Sequence, residues 1–486
     1  MIEKIISIKN IGTFTDFIPH SRNGWNGVFS KINILYAPNG TGKTTFATIL
    51  NSISKNKPDL IRLKQSFNRN EPANIKLLIK SNGLVEYKDK VWSTQIKNIE
   101  IFDIHFIEDF LFLSSISNEK NTDNLLKLTL GDKGVGLRNR FRNLLKKRTH
   151  LLKNLKKHEL SKAKDKSLLN TAKANVKTNG EAIEKVISEF SAYAQPIFEN
   201  YIQVTNKILS RFTNHVRLHS LINPEPSFDA EKLKPSLNIE INGKILRFKA
   251  PDLSKKTGNA KFSLSEGDKN AIALSFFLAK LEISGTTNKI VVIDDPLSSF
   301  DQERKTSTIN LLSSVAINCE QFFLLTHDIH FAKSIKDKLD FTSVLNLKIE
   351  KVSNSSVITE HDINFETLTG YKKDLQTIIE FETKSVRTEN DRREVIRCIR
   401  PVLETLLKTK YFEFIKNNDW LGDIISKIRK SNSPEPLYGL KPILPDLINL
   451  NDYTKEFHHG ENRSIIIDNN ELNFHLNLLK KTLLKI

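Results

Sequence analysis

The sequence predicts an α/β fold that is cut in two by a basic helical insert and followed by an all-helical unit. Three observations carry this reading. A Gly-rich loop, Ala37-Pro38-Asn39-Gly40-Thr41-Gly42-Lys43-Thr44, follows the mostly apolar run Ile32–Tyr36. A second apolar run, Ile290–Ile293, ends in the adjacent carboxylates Asp294 and Asp295 more than 200 residues later. Between them, Arg138–Thr178 holds fourteen Lys or Arg residues against only Glu159 and Asp165, with neither Pro nor Gly.

The N-terminal residues Met1–Ile8 read as a first strand. Ile32–Tyr36 reads as the next strand that matters, and the loop after it suits a phosphate. Small residues let backbone N–H groups curl around an anion, and the following helix aims its positive end there. Asn39, Gly40, Thr41, Gly42, Lys43, Thr44 and Thr45 are the expected nucleotide contacts. Lys43 would reach the β- and γ-phosphates, and the Thr44 hydroxyl would ligate Mg²⁺. Ala37 stands where the pattern usually has its first glycine, a mild departure because alanine is still small. The nucleotide is expected to be ATP, with GTP as the alternative.

Four apolar β-branched residues in a row suit a strand covered on both faces, so Ile290–Asp294 reads as a buried parallel strand. Asp294 at its end would hold Mg²⁺, and Asp295 would orient the attacking water. Many such ATPases carry a glutamate in that place. An aspartate is one methylene shorter, which predicts slow hydrolysis or a switch-like use of ATP. His327 follows a further apolar strand, Phe322–Leu325, and lies 32 residues after Asp295. It is expected at the γ-phosphate.

Leu264-Ser265-Glu266-Gly267-Asp268-Lys269 opens the helical pattern Ala271–Leu281. Ser265, Gly267 and the nearby N–H groups would form a second anion site at a helix start. A chain with two such sites commonly cannot close both on one nucleotide. The arrangement resembles ABC-type heads, in which this signature completes the ATP site of a second subunit. Ser298-Ser299-Phe300-Asp301 matches the loop that crosses between the two sites, with Asp301 as its contact. The resemblance covers roughly 1–136 and 216–365 and implies a homodimer or a higher even-numbered oligomer.

With 486 residues, 39% hydrophobic and 27% charged, the chain should fold into two or three soluble domains. No apolar stretch approaches the length of a membrane span, which sets aside the transporter reading of the ABC motifs. The N-terminus lacks the long apolar core of a signal peptide. Two cysteines, Cys319 and Cys398, are too few for a disulfide framework. The cytoplasm is the expected compartment. The net charge of +18 points to an anionic partner beyond the nucleotide, although a chain rich in Lys, Asn and Ile carries part of that charge as compositional drift.

The insert, about 137–215, reads as a helical hairpin. Its first arm is Arg138–Thr178, roughly 60 Å long at ~1.5 Å per residue. Asn179-Gly180 is its turn, and a second helix runs through Ala182–Phe190 until Pro196. It is either a solvated coiled-coil face or a phosphate-binding arm, since so much charge of one sign repels itself without an anion. From about Phe365 the character changes to mostly helical, through Thr367–Leu479. Arg400-Pro401-Val402-Leu403-Glu404 lies near an expected helix start, and His458-His459-Gly460 follows the helix Leu447–Phe457. Residues four apart share a helix face, so Arg400 and Glu404 present a cation and a carboxylate to one spot. An imidazole brought there completes a set able to cleave RNA without a metal. One group takes the 2′-OH proton, another protonates the leaving 5′-oxygen, and the Arg steadies the phosphorane.

Taken whole, the chain resembles the PrrC/RloC anticodon nucleases, bacterial ATPase–ribonuclease fusions whose nuclease part is similar to HEPN domains. Ile396–Leu407 and Asn451–Gly460 carry that similarity, over roughly 366–486. The family's Arg and Glu map onto Arg400 and Glu404, and its His onto His459, with His458 as the less favoured position. The resemblance implies a nucleotide-gated ribonuclease that cleaves tRNA in the anticodon loop as antiviral defence, with a silencing or sensor protein as a further partner. The runner-up is an ABC-type sensor ATPase that holds and releases a separate toxic effector. A DNA-repair ATPase of the SMC kind is a third reading. The short arm and the lack of a zinc-hook Cys-x-x-Cys count against it.

Overall fold

The computed structural model describes residues 1–21, 24–66, 71–103, 106, 119–160, 166–222, 236–247, 263–296, 302–339, 343–458 and 467–486. The chain forms two compact units, Met1–His361 and Asp362–Ile486. In the first unit the order is β1 (Ile2–Ile11), β2 (Phe14–Phe17), β3 (Ile32–Tyr36), α1 (Lys43–Lys55) and α2 (Asp59–Leu63). Then come β4 (Asn74–Ile79), β5 (Gly83–Lys88), β6 (Val91–Trp92) and β7 (Ile99–Phe102). The insert is α3 (Glu119–Leu160) and α4 (Lys166–Leu209), followed by β8 (Val216–Ile222), β9 (Ser236–Ile241) and β10 (Lys244–Arg247). The unit ends with α5 (Glu266–Ser284), β11 (Ile290–Asp294), α6 (Gln302–Asn318), β12 (Gln321–Thr326), α7 (Ile329–Lys338), β13 (Val344–Val352) and β14 (Ser355–Glu360).

A six-stranded sheet, β14-β13-β3-β12-β11-β7, positions the site. All its pairs are parallel except β13 with β14. A parallel sheet is covered on both faces, so its strands need apolar side chains at nearly every position. Every residue of β11 and of β12 is buried accordingly. The register sets Tyr36 beside Thr326, Leu325 beside Asp294 and Ile293 beside Phe102. The residues that follow these strands therefore emerge together along one edge, where ligands of open α/β sheets bind. A five-stranded antiparallel sheet, β2-β1-β4-β5-β6, packs beside it. Phe46, Ile49, Leu50 and Ile53 of α1 fill the core that joins Ile5, Ile75 and Val85 to Phe323.

The insert is a hairpin, but its turn is not where the sequence places it. Hydrogen bonds link Arg148 with Val176, Asn179 with Leu144, and Tyr193 with Leu130. Partners climb one helix as they descend the other, so α3 and α4 are antiparallel. Asn179 and Gly180 lie inside α4, both buried, and the outward helix already ends at Leu160. From Arg138 to Leu160 the outward arm is about 34 Å at ~1.5 Å per residue, shorter than expected. The Asn-Gly pair serves the interface between helices. Asn179 Nδ2 donates to the Leu144 carbonyl at 3.3 Å, and a Cβ on Gly180 would lie 3.1 Å from an Arg148 guanidinium nitrogen. Pro196 also lies within α4 rather than ending it. α3 is broken at Gly131, whose φ of 64° is left-handed. At its foot α4 is tied to the head: Tyr201 Oη donates to the Phe276 carbonyl at 2.8 Å, and Asn206 bonds both backbone groups of Leu218 at 2.8 Å.

The second unit holds α8 (Ile363–Thr367), α9 (Tyr371–Thr383), α10 (Glu389–Lys410), α11 (Leu421–Lys430), α12 (Leu444–His458) and α13 (Asn469–Leu483), with a 3₁₀ stretch at Pro436–Ile443. Val395, Ile399, Val402 and Leu403 of α10 form its core with Leu447, Leu450 and Leu476. Arg400 and Pro401 sit mid-helix, not near a helix start. The start is set by Thr388, whose hydroxyl accepts the Asp391 N–H while the Asp391 side chain takes the Thr388 N–H.

Candidate nucleotide-binding site

The loop after β3 is held from three sides. The Ala37 N–H donates to the Thr326 carbonyl at 2.9 Å, which draws the loop's start onto β12. Ala37 is fully buried, so a small apolar residue serves packing at this position. The Thr41 carbonyl accepts from the Ser356 hydroxyl at 2.6 Å and the Thr13 hydroxyl at 3.3 Å. Gly42 has φ 117°, and a Cβ there would come within 2.7 Å of Thr13 Oγ1 and 2.8 Å of a Phe14 ring carbon. Only glycine meets both demands. Helix α1 begins at Lys43 with no side-chain cap, which leaves its first N–H groups for an anion. A cleft of about 420 Å³ opens there, lined by Asn39, Gly40, Gly42, Lys43, Thr44, Thr45, Asp294 and Asp295, with Gly12 and Thr13 packed beside the loop.

Lys43, Asp294, Asp295 and His327 lie close together. The Lys43 ammonium is ion-paired with Asp295. His327 Nδ1 lies 2.6 and 2.7 Å from the two Asp295 oxygens and so acts as their donor. Asp295 holds a left-handed backbone, φ 52°, anchored by its N–H to the Leu325 carbonyl at 2.9 Å. Asp294 is buried, and its Oδ1 has no hydrogen-bond partner among the described residues. Burial pushes its carboxyl up to about 7; Lys43 and Lys64 oppose the shift, while Asp295 and Asp103 add to it. A buried carboxylate oxygen without a donor is costly. A hard divalent cation, with Thr44 lining the same cleft, would satisfy it. The donor set therefore fits Mg²⁺.

Two residues here escape sequence reasoning. Asp103 follows β7 and is buried, accepting from Asn51 Nδ2 at 3.1 Å and from the Phe106 N–H at 2.9 Å. Its only signal is its place after the short strand Ile99–Phe102, level with Asp294 in the sheet register. Lys64, at the end of α2, donates to the Thr44 carbonyl at 3.2 Å. Burial lowers its pKa against the pull of Asp294 and Asp103. Nothing in the local sequence announces it.

Ser265 lies at the helix start as expected, but as the N-cap of α5 its hydroxyl is occupied within the chain. It accepts the Asp268 N–H at 3.1 Å and donates to Asp268 Oδ2 at 2.7 Å. Asp268 also binds Arg304 at 2.8 Å and lies 3.4 Å from His215 Nε2. Burial works to raise the Asp268 carboxyl, but the Ser265 and Arg304 contacts together hold it below its ordinary value. Gly267 is buried in the first turn. Among the described residues, the cleft lining includes no member of Leu264–Lys269. Asp301 and the rest of Ser298–Asp301 lie outside the described residues.

In the helical unit, Arg400 and Glu404 are brought together, with Nε 3.3 Å from Oε1. Glu404 is buried, and the same oxygen accepts the Leu421 N–H at 2.7 Å, at the start of α11. Lys408 is 3.8 Å away. His459 lies outside the described residues, and His458 is placed only as the last residue of α12. A different histidine, His475, is buried with Nε2 2.9 Å from Asn449 Oδ1 and Nδ1 2.8 Å from the Glu471 carbonyl, its ring stacked on Tyr453. Both ring nitrogens are engaged, which marks a packing role.

Comparison with known proteins adds the following. A family model described as an AAA domain matches residues 232–435, from ahead of the signature into the helical unit. The chain is 32% identical over 201 residues to the uncharacterized chromosomal cassette SCCmec type IVc protein CR006 of Staphylococcus aureus, strain MRSA252. That match covers 38% of this chain and 26% of the relative, so the chain spans about a quarter of the length of the curated relatives it matches. Among solved structures, the Smc head domain of Pyrococcus furiosus, with an extended coiled coil and bound to the C-terminal domain of ScpA, is similar at 15% identity and a TM-score of 0.41, covering 79% of this chain and 100% of that one. The Smc head with a coiled coil and joint from Pyrococcus yayanosii is similar at 12% identity and 0.41, with the same coverage. The SMC head of Thermotoga maritima gives 13% and 0.29, over 74% and 100%. The family match and the phosphate-loop geometry together support an ATPase.

Proposed function

We propose that this chain is an ATP-hydrolysing switch that works as a head-to-tail pair and gates a ribonuclease in its helical unit. The observation that carries the ATPase reading is the orphaned, buried Asp294 oxygen across a cleft from the Lys43 loop. Asn39–Thr45 would cradle the phosphates of ATP, or of GTP in its place. Lys43 would exchange Asp295 for the β- and γ-phosphates. Freed from Lys43, Asp295 would orient the attacking water, with His327 holding its carboxylate and facing the γ-phosphate. Mg²⁺ held by Thr44 and Asp294 would supply charge neutralisation between the phosphates. Ser265 and Gly267 of a second copy would close the far side, with Asp301 contributing from the crossing loop.

The ribonuclease reading is supported by the Arg400–Glu404 contact and by the resemblance to anticodon nucleases. The substrate would be tRNA, cut in the anticodon loop through its own 2′-OH, with His459 as the proton carrier and His458 as the weaker choice. The role would be cytoplasmic antiviral defence, restrained by a silencing or sensor protein. One observation favours a second reading, a sensor ATPase with a separate effector. The Glu404 oxygen nearest Arg400 already serves the Leu421 N–H, a structural duty.

The test expresses the wild type, Lys43→Ala and Arg400→Ala alone, and sequences cellular RNA for new ends. New 2′,3′-cyclic phosphate ends in the wild type only support the ribonuclease. Purified wild type that hydrolyses ATP yet yields no new ends puts the sensor reading first. Hydrolysis per subunit that does not change with protein concentration would sink the head-to-tail pair.

A further inference from the structure

The arm's charge is not spread along it. In the distal part, 140–160 and 166–178, eleven Lys or Arg residues face one acid, Glu159. In the proximal part of α4, 181–209, four glutamates outnumber Lys185 and Lys207. Compositional drift would charge both parts alike, so the segregation itself calls for a cause.

The basic side chains form stripes. At ~100° per residue, Arg142, Lys146, Lys153 and Lys157 fall within about 60° of one another on α3, over about 23 Å. On α4, Lys166, Lys173 and Lys177 fall within about 40°. The six lysines are exposed, and none has a carboxylate partner among the described residues. Lysine ladders of this length repel themselves in low salt, and on meeting a polyphosphate they release the cations condensed on it.

We propose that the distal half of the α3–α4 hairpin is a docking surface for the phosphate backbone of a nucleic acid, without sequence preference. The surface goes beyond the nucleotide site and does not depend on the ribonuclease reading, because its contacts are to phosphate and not to the cleaved position. Backbone phosphates recur along the strand as the lysines recur along the helix, and their charge is complementary. Such contacts fix position and carry no base information.

The experiment measures binding of the full chain by fluorescence anisotropy across a salt series, without nucleotide. The probes are a duplex DNA and a fully 2′-O-methylated RNA, which lacks the 2′-OH that cleavage needs. The arm variant is Lys146→Glu, Lys153→Glu and Lys157→Glu together. The control, Lys88→Glu, Lys90→Glu and Lys97→Glu, makes the same change in net charge at exposed positions of the first unit. The arm variant should bind at least tenfold more weakly at about 100 mM salt, and its slope of log affinity against log salt should shrink by about three. The control should shift neither by more than about twofold. Loss on both probes supports a backbone surface common to DNA and RNA, and loss on the RNA alone supports an RNA backbone surface. Equal effects of the arm and control variants, or an unchanged slope in the arm variant, overturn the proposal. Circular dichroism and thermal unfolding of both variants confirm that exposed helix positions have been changed without loss of fold.

Discussion

Replacing Asp294 by Asn should stabilise the head while disabling it. The wild-type carboxyl is buried, has an oxygen without a donor, and is pushed up to about 7 from 3.8. The folded chain therefore keeps a proton, between about pH 4 and 7, that the unfolded chain has released. Stability from this group is full below the unfolded value, falls as pH rises through that window, and levels off above it. At ~1.36 kcal/mol per pH unit the whole gap is worth about 4 kcal/mol, of which about 2–3 kcal/mol falls between about pH 5 and about pH 8. Asparagine has nearly the same shape and no charge, so it lacks the penalty. The assay is guanidinium unfolding in EDTA, followed by tryptophan fluorescence in a Trp420→Phe background. The remaining Trp25 and Trp92 are buried in the first unit and report on it alone. The advantage of Asp294→Asn over wild type should grow by about 2–3 kcal/mol from the lower to the higher pH. Mg-ATP should then raise the wild-type midpoint and leave the variant's unchanged, since the cation has lost its carboxylate. An advantage equal at both pH values, or a variant less stable than wild type at about pH 8, would refute the reasoning.

Other outcomes follow from contacts already described. Lys43→Ala should lose ATP binding, and Asp295→Asn should bind ATP and accumulate as a closed dimer, measured by calorimetry and by light scattering; an Asp295→Asn chain that stays monomeric with ATP would contradict the assignment. Gly42→Ala should abolish nucleotide binding, because the left-handed backbone and the Thr13 and Phe14 contacts leave no room for a Cβ. Glu404→Ala should destabilise the helical unit by ~1–3 kcal/mol, since the buried Leu421 N–H loses its acceptor, whereas Glu404→Gln should largely keep the fold. If Glu404→Gln is folded and still cleaves RNA at the wild-type rate, Glu404 is not catalytic. Arg400→Ala and His459→Ala should remove RNA cleavage with ATP hydrolysis nearly intact, His458→Ala should be milder, and cleavage by the wild type should persist in EDTA after nucleotide activation.

The parts of this molecule that were legible in the sequence are those built from local rules. The buried strand Ile290–Asp294, the Gly-rich loop before a helix at Lys43 and the helix start at Ser265 each follow from a few adjacent residues, and each forms in the structure. The insert shows where local rules fail. Asn179-Gly180 has the composition of a turn, yet packing across the helix pair takes both residues into a helix interior. Pro196 is likewise tolerated inside α4, where the missing N–H would ordinarily end a helix. Arg400-Pro401 reads as lying near a helix start, but the Thr388 capping box lies twelve residues before Arg400. Asp103 and Lys64 could not be read at all. They reach Asp294 only because β7 pairs with β11 and α2 folds back on α1, and neither relation is written in the residues nearby.

Gly180 bears on how the arm can move. With no side chain there, the Arg148 guanidinium crosses to the Val176 carbonyl, and a Cβ in that place would stand 3.1 Å from it. A side chain at 180 would press on that guanidinium, so the seam between the two helices suits the one residue without a side chain. The glycine thus sits where the two helices come close at the Arg148–Val176 contact. A hairpin held at this seam and tied at its foot by Tyr201 and Asn206 would tilt as one body rather than slide.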